Sequence, residues 1–373
     1  ASAQSNDALF FNSEGDLWSW YLDRPVDGRL TTWNYNGGPI LSPDGSRIAY
    51  LSMAREAVNE LTSGQAEFFG TPPGNIWVMD TATRRFQQIT QQTSYPTLRS
   101  LPAWSPVGTE LAWVEMNLSD GTYAMELVIH NFSSGQARVV PAYINPGFQD
   151  AGIVMPRIQW GPHGISRLLF TFVETGDLHI LLEIIQPGGG TSTQFLLSAA
   201  PIDGSGDFFS PIDHIWVEQD ARAMIALLSR TGRWTILDPV LGGLNELSQP
   251  PVLTPRNGSR TTNRTTLTPL YTTTAELGWE IRWRATNPAG SVMDLPYSSF
   301  ELNSGAPAIS PDGQAIAWNL DGAVSYQTFA GDGGIVYYPN PEIFNHYVSP
   351  AMAVWTPLRW IVMLAPLAVV FFL

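Results

Sequence analysis

The sequence contains no cysteine and no lysine, so each of its 19 basic residues is an arginine. Without cysteine there is no disulfide framework, no thiolate metal site and no cysteine nucleophile. The missing lysine reads as codon bias toward arginine. Charged residues are scarce at 14%, and 33 Asp and Glu give a formal net charge of −14. A surface of that sign repels a phosphate backbone, so nucleic acid is not an expected partner. Familiar catalytic motifs are also missing. No Gly-x-Ser-x-Gly elbow occurs, and the five histidines (His130, His163, His179, His214, His346) show no His-x-x-x-His pairing. Gly188-Gly189-Gly190 is not followed by a Lys-Ser/Thr pair and reads as a hairpin tip rather than a phosphate loop. Asp203-Gly204-Ser205-Gly206-Asp207 and Gly331-Asp332-Gly333-Gly334 lack the spacing of a calcium loop and read as turns. The expectation is therefore no catalytic residue, no metal and no cofactor.

What is abundant is the material of short strands and tight turns: 44% apolar residues, 33 Gly and 29 Pro. Four stretches repeat one pattern, a strand, a turn holding a proline, and a second strand ending in an aromatic. The turns are Ser42-Pro43-Asp44-Gly45, Ser105-Pro106-Val107-Gly108, Gly161-Pro162-His163-Gly164 and Ser310-Pro311-Asp312-Gly313. Weaker copies run from Ile215 to Leu227, from Thr272 to Trp279 and from Ala353 to Pro357. A period of roughly 40–50 residues is that of a four-stranded propeller blade. A second hairpin follows in the gaps, at Asn75–Asp80 with Arg85–Ile89, Met125–His130 with Ala137–Val140, and Leu178–Glu183 with Thr193–Leu197.

The chain thus reads as an all-β propeller of seven blades, with six as the alternative. Ala8–Phe11, Asp16–Leu22 and Leu30–Trp33 read as strands two to four of a blade whose first strand, Ala351–Trp355, comes from the other terminus and closes the ring. The Ser-Pro-Asp-Gly turns resemble those of the WD40-like Pro-Asp repeats found in TolB-type propellers. That resemblance implies the fold; related propellers serve as envelope scaffolds, binding subunits and covers on peptidase domains. Turn chemistry accounts for Asp44 and Asp312 through bonds to their own backbone, and for the glycines through positive φ.

Domain organisation follows: a propeller over residues 1–357 and a hydrophobic tail over 358–373. Beyond Trp360 the tail has no polar residue, and with the stretch from Ala351 it reaches the length of a membrane-spanning helix. As a membrane anchor it would place Trp355, Arg359 and Trp360 at the interface and Phe371 and Phe372 in the bilayer. The small residues Ala1-Ser2-Ala3 read as a signal-peptidase junction, hence an exported protein on the extracytoplasmic side of a bacterial membrane. Met53–Leu61 reads as a short helix on a blade loop. Aromatics in long loops (Phe68, Phe69, Tyr143, Phe148) and the arginines of the 255–264 loop (Arg256, Arg260, Arg264) are candidate contacts for other protein subunits. The expected function is a noncatalytic binding or structural subunit of a membrane or envelope complex. The alternatives are a propeller hydrolase or lyase with acidic residues at the channel mouth, and a glycan-binding module.

Overall fold

The computed structural model describes residues 8–21, 24–64, 74–91, 97–117, 125–140, 157–172, 178–189, 192–200, 211–229, 231–253, 265–274, 279–299, 307–310, 313–320 and 323–337. Within them the strands form seven antiparallel sheets, one per blade. Blade 1 holds β1 (Ala8–Ser13), β2 (Asp16–Tyr21) and β3 (Arg24–Arg29). Blade 2 holds β4 (Asn36–Leu41), β5 (Arg47–Met53), β6 (Gly74–Asp80) and β7 (Phe86–Gln88), with helix α1 (Arg55–Thr62) between its second and third strands. Blade 3 has a broken inner strand, β8 (Thr97–Arg99) and β9 (Ala103–Trp104), both paired with β10 (Glu110–Asn117), then β11 (Met125–Asn131) and β12 (Gln136–Val140).

Blade 4 runs β13 (Ile158–Gly161), β14 (Gly164–Phe172), β15 (Leu178–Ile185) and β16 (Thr193–Ala200). Blade 5 runs β17 (Pro211–Gln219), β18 (Arg222–Ser229), β19 (Trp234–Leu237) and β20 (Leu244–Leu247). Blade 6 contains β21 (Thr266–Thr272), β22 (Glu280–Thr286) and β23 (Val292–Ser299). Blade 7 contains β24 (Ala308–Ile309), β25 (Ala315–Leu320), β26 (Ala323–Thr328) and β27 (Gly333–Tyr337).

The serine of the repeat does more than the sequence suggested. In blade 2 the Ser42 backbone N–H donates to Arg47 O (2.8 Å), its hydroxyl oxygen accepts from Arg47 N (2.9 Å), and its carbonyl accepts from Gly45 N (2.8 Å). Ser105 repeats this with Glu110 and Gly108, and Ser310 with Ala315 and Gly313. One serine therefore closes each hairpin with three hydrogen bonds, two through its backbone and one through its hydroxyl, while Gly45, Gly108 and Gly313 supply φ values of 72, 73 and 71°. Asp44 tightens its own turn by accepting from Ser46 N at 3.1 Å, as expected.

The core is a chain of seams between blades rather than one central mass. Buried residues of blades 5, 6 and 7 (Trp234, Trp283, Trp318) share one cluster, and blades 2 and 3 (Trp104, Trp113), 3 and 4 (Trp160), and 4 and 5 (Trp216) share others. Each fully buried large side chain contributes roughly 2–3 kcal/mol, which is why the tryptophans recur at these positions. Gly161 has no side chain because the Trp216 ring lies where its Cβ would be. The ring closes between blades 7 and 1, where Trp20 packs on Tyr326 with centroids 5.1 Å apart.

Three expectations need correction or fall elsewhere. The fourth strand of blade 1 is β3, not Leu30–Trp33, because Thr31 and Trp33 are drawn instead to the carboxylate of Asp16. Thr272–Trp279 does not open blade 6: Leu253 bridges to Leu267, so the inner position precedes β21, and β21 and β22 are the second and third strands. Ala351–Trp355 and the 358–373 tail lie outside the described residues. Among the described residues no helix is long and apolar enough to cross a membrane.

Candidate active site at the channel mouth

In this meander, turns joining first to second and third to fourth strands share one face of the ring. Cross-blade contacts agree: the Arg138 guanidinium donates to Pro187 O (3.1 Å), and Thr265 Oγ1 to Gly313 O (2.9 Å). The opposite face carries α1 and the connections between blades, and there the innermost strands begin. Asn36, Arg99, Arg157 and Asp213 sit near the start of the innermost strands of blades 2 to 5. Polar residues of four successive blades thus lie toward the face on which the central channel opens.

At blade 1, Asp16 is fully buried and accepts from Thr31 Oγ1 (2.6 Å), Trp33 N (2.9 Å), Asn34 N (3.2 Å), Asn36 Nδ2 (2.8 Å) and Arg29 Nε (3.2 Å). At blade 3, Glu115 accepts from Arg99 Nε (2.6 Å) and Trp113 Nε1 (2.8 Å), and a second Arg99 nitrogen donates to Gly74 O at 3.0 Å. Between blades 4 and 5, Arg157 approaches Asp213 Oδ2 at 3.5 Å, with the arginine side chain 34% exposed and the carboxylate 3%. The other carboxylate oxygen, Oδ1, accepts from His214 N at 2.8 Å, which fixes its direction.

Beneath Asp213 lies a buried polar network. Ser166 Oγ is 3.0 Å from His214 Nε2 and accepts from Trp216 Nε1 at 2.8 Å; Gln159 Oε1 accepts from Trp216 N at 3.3 Å, while its amide nitrogen donates to His214 O. A serine beside a histidine invites a hydrolase reading, but the geometry rejects it. Both are buried, so neither substrate nor water reaches the hydroxyl, and His214 Nδ1 has no carboxylate to orient it, being without a hydrogen-bond partner among the described residues.

Burial pushes the His214 imidazole below the usual histidine range, with the Asp213 charge pulling the other way and Arg157 adding to the depression. Well above pH 6.5 the folded and unfolded chains both carry it uncharged, so it contributes no pH dependence there. As pH falls through about 6.5, the unfolded chain takes up a proton that the folded one refuses, and stability drops by up to about 1.4 kcal/mol per pH unit until the folded group also titrates. Urea unfolding of wild type and His214→Gln from about pH 7.5 to 5 will show the wild type losing more stability. Parallel curves would mean that folding leaves the titration of His214 unshifted.

Phe68, Phe69, Tyr143, Phe148, Arg256, Arg260, Arg264, Trp355, Arg359, Trp360, Phe371 and Phe372 lie outside the described residues, as do His346 and Asp203–Asp207. The described histidines are spread over blades 3 to 5, and among the described residues no three His, Asp or Glu side chains gather to hold a metal. Gly331–Gly334 is a hairpin tip in which Asp332 N donates to Thr328 Oγ1 at 3.1 Å. Arg157, Asp213, Arg99 and Asp16 were missed, yet a signal existed: Asn36, Arg99 and Arg157 each stand shortly before the turn prolines Pro43, Pro106 and Pro162.

No protein-family model matches the chain, and no curated protein matches it in sequence. Solved structures do. An oligogalacturonate lyase from Vibrio parahaemolyticus is 13% identical, with 89% of this chain and 86% of that one covered, at a TM-score of 0.47. The β-propeller domain of the Trilobed protease from Pyrococcus furiosus is 12% identical, with 87% and 91% covered, at 0.48. An acylaminoacyl peptidase from Pyrococcus horikoshii is 11% identical, with 89% of this chain but 49% of that one covered, at 0.46. Against the expectation of a noncatalytic subunit, not an enzyme, these structures include a lyase and a peptidase. That expectation rested on missing local motifs, and a ring of blades can assemble a site from single residues on separate strands without any motif. At these identities the likeness is one of fold, and the chain's own sheets make it an all-β propeller of seven blades.

Proposed function

We propose that this chain is a propeller enzyme of the lyase class, acting on an anionic oligosaccharide at the channel mouth. The observation that carries the reading is the Arg157–Asp213 pair, a shielded and oriented carboxylate next to a partly exposed guanidinium. Elimination beside a carboxylate needs these two groups. Arg157 binds the substrate carboxylate and is drawn outward by it, which uncovers Asp213. Asp213 then takes the proton from the adjoining carbon. The electron pair left behind is stabilised by the guanidinium, then forms the new double bond as the oxygen on the next carbon leaves with its own pair and takes a proton from solvent. Hydrolysis through a serine is the weaker reading because Ser166 is sealed from substrate.

The test is the ultraviolet absorbance of unsaturated product from oligogalacturonate, alginate and hyaluronan oligosaccharides. The expected result is turnover of at least one, lowered about 100-fold or more in Asp213→Asn and Arg157→Met with unchanged melting. Absence of product from every uronate substrate, or variants as fast as the wild type, would overturn the reading. We also infer membership of the Pro-Asp repeat family, which the shared Ser42, Ser105 and Ser310 hairpin bonding supports.

A further inference from the structure

On the opposite face, blade 4 breaks the rule of its own repeat. Where Ser42-Pro43-Asp44-Gly45 closes its turn with a serine and an aspartate, blade 4 has Gly161-Pro162-His163-Gly164. The glycine is explained by the Trp216 ring packed on it. The histidine is not explained by the turn: its ring makes no hydrogen bond among the described residues and instead leans on the Trp216 ring, with centroids 6.1 Å apart. Departures from a repeat that the fold does not require are places to look for function. Here a cavity of about 250 Å³ opens, lined by Pro162, His163, Ile184, Gln186, Thr193 and the Pro239-Val240 pair.

The lining selects its occupant. Gln186 uses an amide N–H on His163 O (3.0 Å), and the Thr193 hydroxyl has no hydrogen bond among the described residues, so His163 and Thr193 are left to face a ligand. No carboxylate and no arginine lines the cavity, and Asp238, which interacts electrostatically with His163, is already paired with Arg222 at 2.6 Å, so the cavity itself offers no carboxylate for a cation and no arginine for an anion. A neutral ligand with hydroxyl groups on its edge and C–H groups on its face matches polar side chains set between two proline rings. The volume lies below the roughly 300–1,000 Å³ of drug-sized pockets, so it takes a single ring rather than an extended chain.

We propose that this pit, remote from the channel mouth and independent of the activity assigned there, binds one neutral pyranose unit of a saccharide. The experiment is saturation-transfer NMR of the full chain with methyl glucoside, methyl galactoside and methyl mannoside, using wild type, Thr193→Val and His163→Ala. Thr193 and His163 are exposed, and melting curves of each variant certify the fold. The expected result is transfer to at least one glycoside that falls at least about fivefold in both variants. No transfer from any glycoside, or transfer unchanged in folded variants, would overturn the proposal. Because the readout is binding at the turn face, Asp213→Asn leaves it unaltered, and loss of binding in that variant would also count against the site.

Discussion

Replacing Glu183 with alanine will destabilise the protein by about 3–5 kcal/mol, although neither Glu183 nor its partner touches the channel mouth. Arg167 on β14 and Glu183 on β15 are cross-strand neighbours in the interior of blade 4, with side chains 0% and 2% exposed. Arg167 Nε donates to Glu183 Oε2 at 2.6 Å, and Ser192 Oγ (2.6 Å) and Gln194 Nε2 (3.1 Å) donate to the other carboxylate oxygen. Burial pulls the arginine below its ordinary pKa while the Glu183 charge and hydrogen bond hold it up. Without the glutamate, an uncompensated cation remains in the sheet, and the penalty is that of the orphaned charge rather than of the lost bond.

The double replacement Arg167→Met with Glu183→Leu separates the two. Removing both charges and filling the space should recover most of the loss, to within about 1 kcal/mol of wild type. Urea unfolding followed by tryptophan fluorescence measures all three proteins. The contrast is Arg284 with Asp294 on the exposed β22–β23 surface, 2.6 Å apart, where Asp294→Ala should leave the unfolding midpoint in place. If Glu183→Ala proves as mild as Asp294→Ala, water reaches the interior of blade 4 and the packing described here is wrong.

Much of the ring was legible in the sequence because its signals are local. A Pro-Gly turn between alternating apolar runs specifies a hairpin whatever surrounds it, so the strands around Pro43, Pro106 and Pro162 fell where the pattern put them. Helix α1 at Arg55–Thr62 was equally local. The errors came where a distant partner decides. Leu30–Trp33 has the composition of a strand, but a buried carboxylate fourteen or more residues earlier offers its backbone better partners. Thr272–Trp279 resembles the opening of a blade, and only the bridge between Leu253 and Leu267 shows that the blade has already begun.

The candidate site was less legible for the same reason. Arg157 and Asp213 are 56 positions apart in sequence, and nothing near either marks it as half of a pair. They meet because the innermost strands of blades 4 and 5 run side by side, as Gln159 on β13 shows by donating to His214 O and accepting from Trp216 N on β17. Motif searches find chemistry carried by one helix or one loop. A propeller distributes it, one residue per blade, and leaves only the position relative to each turn proline as a trace.

Asp16 ties blade 1 to the connection that enters blade 2, and Asp16→Ala is expected to cost about 3 kcal/mol and to loosen that connection selectively. Two of its donors, Trp33 N and Asn36 Nδ2, are at least half-buried, and an unsatisfied buried donor costs about 1–3 kcal/mol. The damage should travel. Trp33 Nε1 donates to Met53 O at 2.6 Å, and the Arg55 guanidinium lies 5.6 Å from the Trp33 ring, so the connection that Asp16 holds is also the platform for α1. Hydrogen exchange will therefore accelerate at Trp33, at Asn34 and along α1, while the Ser229–Gly232 turn of blade 5, closed by its own bonds, keeps wild-type protection. Asp16→Asn should fall between, since one amide oxygen can still accept from the backbone while its N–H₂ meets donors of Arg29. Uniform acceleration across all seven blades would mean that the ring unfolds as one unit and that Asp16 has no local role; unchanged exchange at α1 would break the link between this carboxylate and the helix.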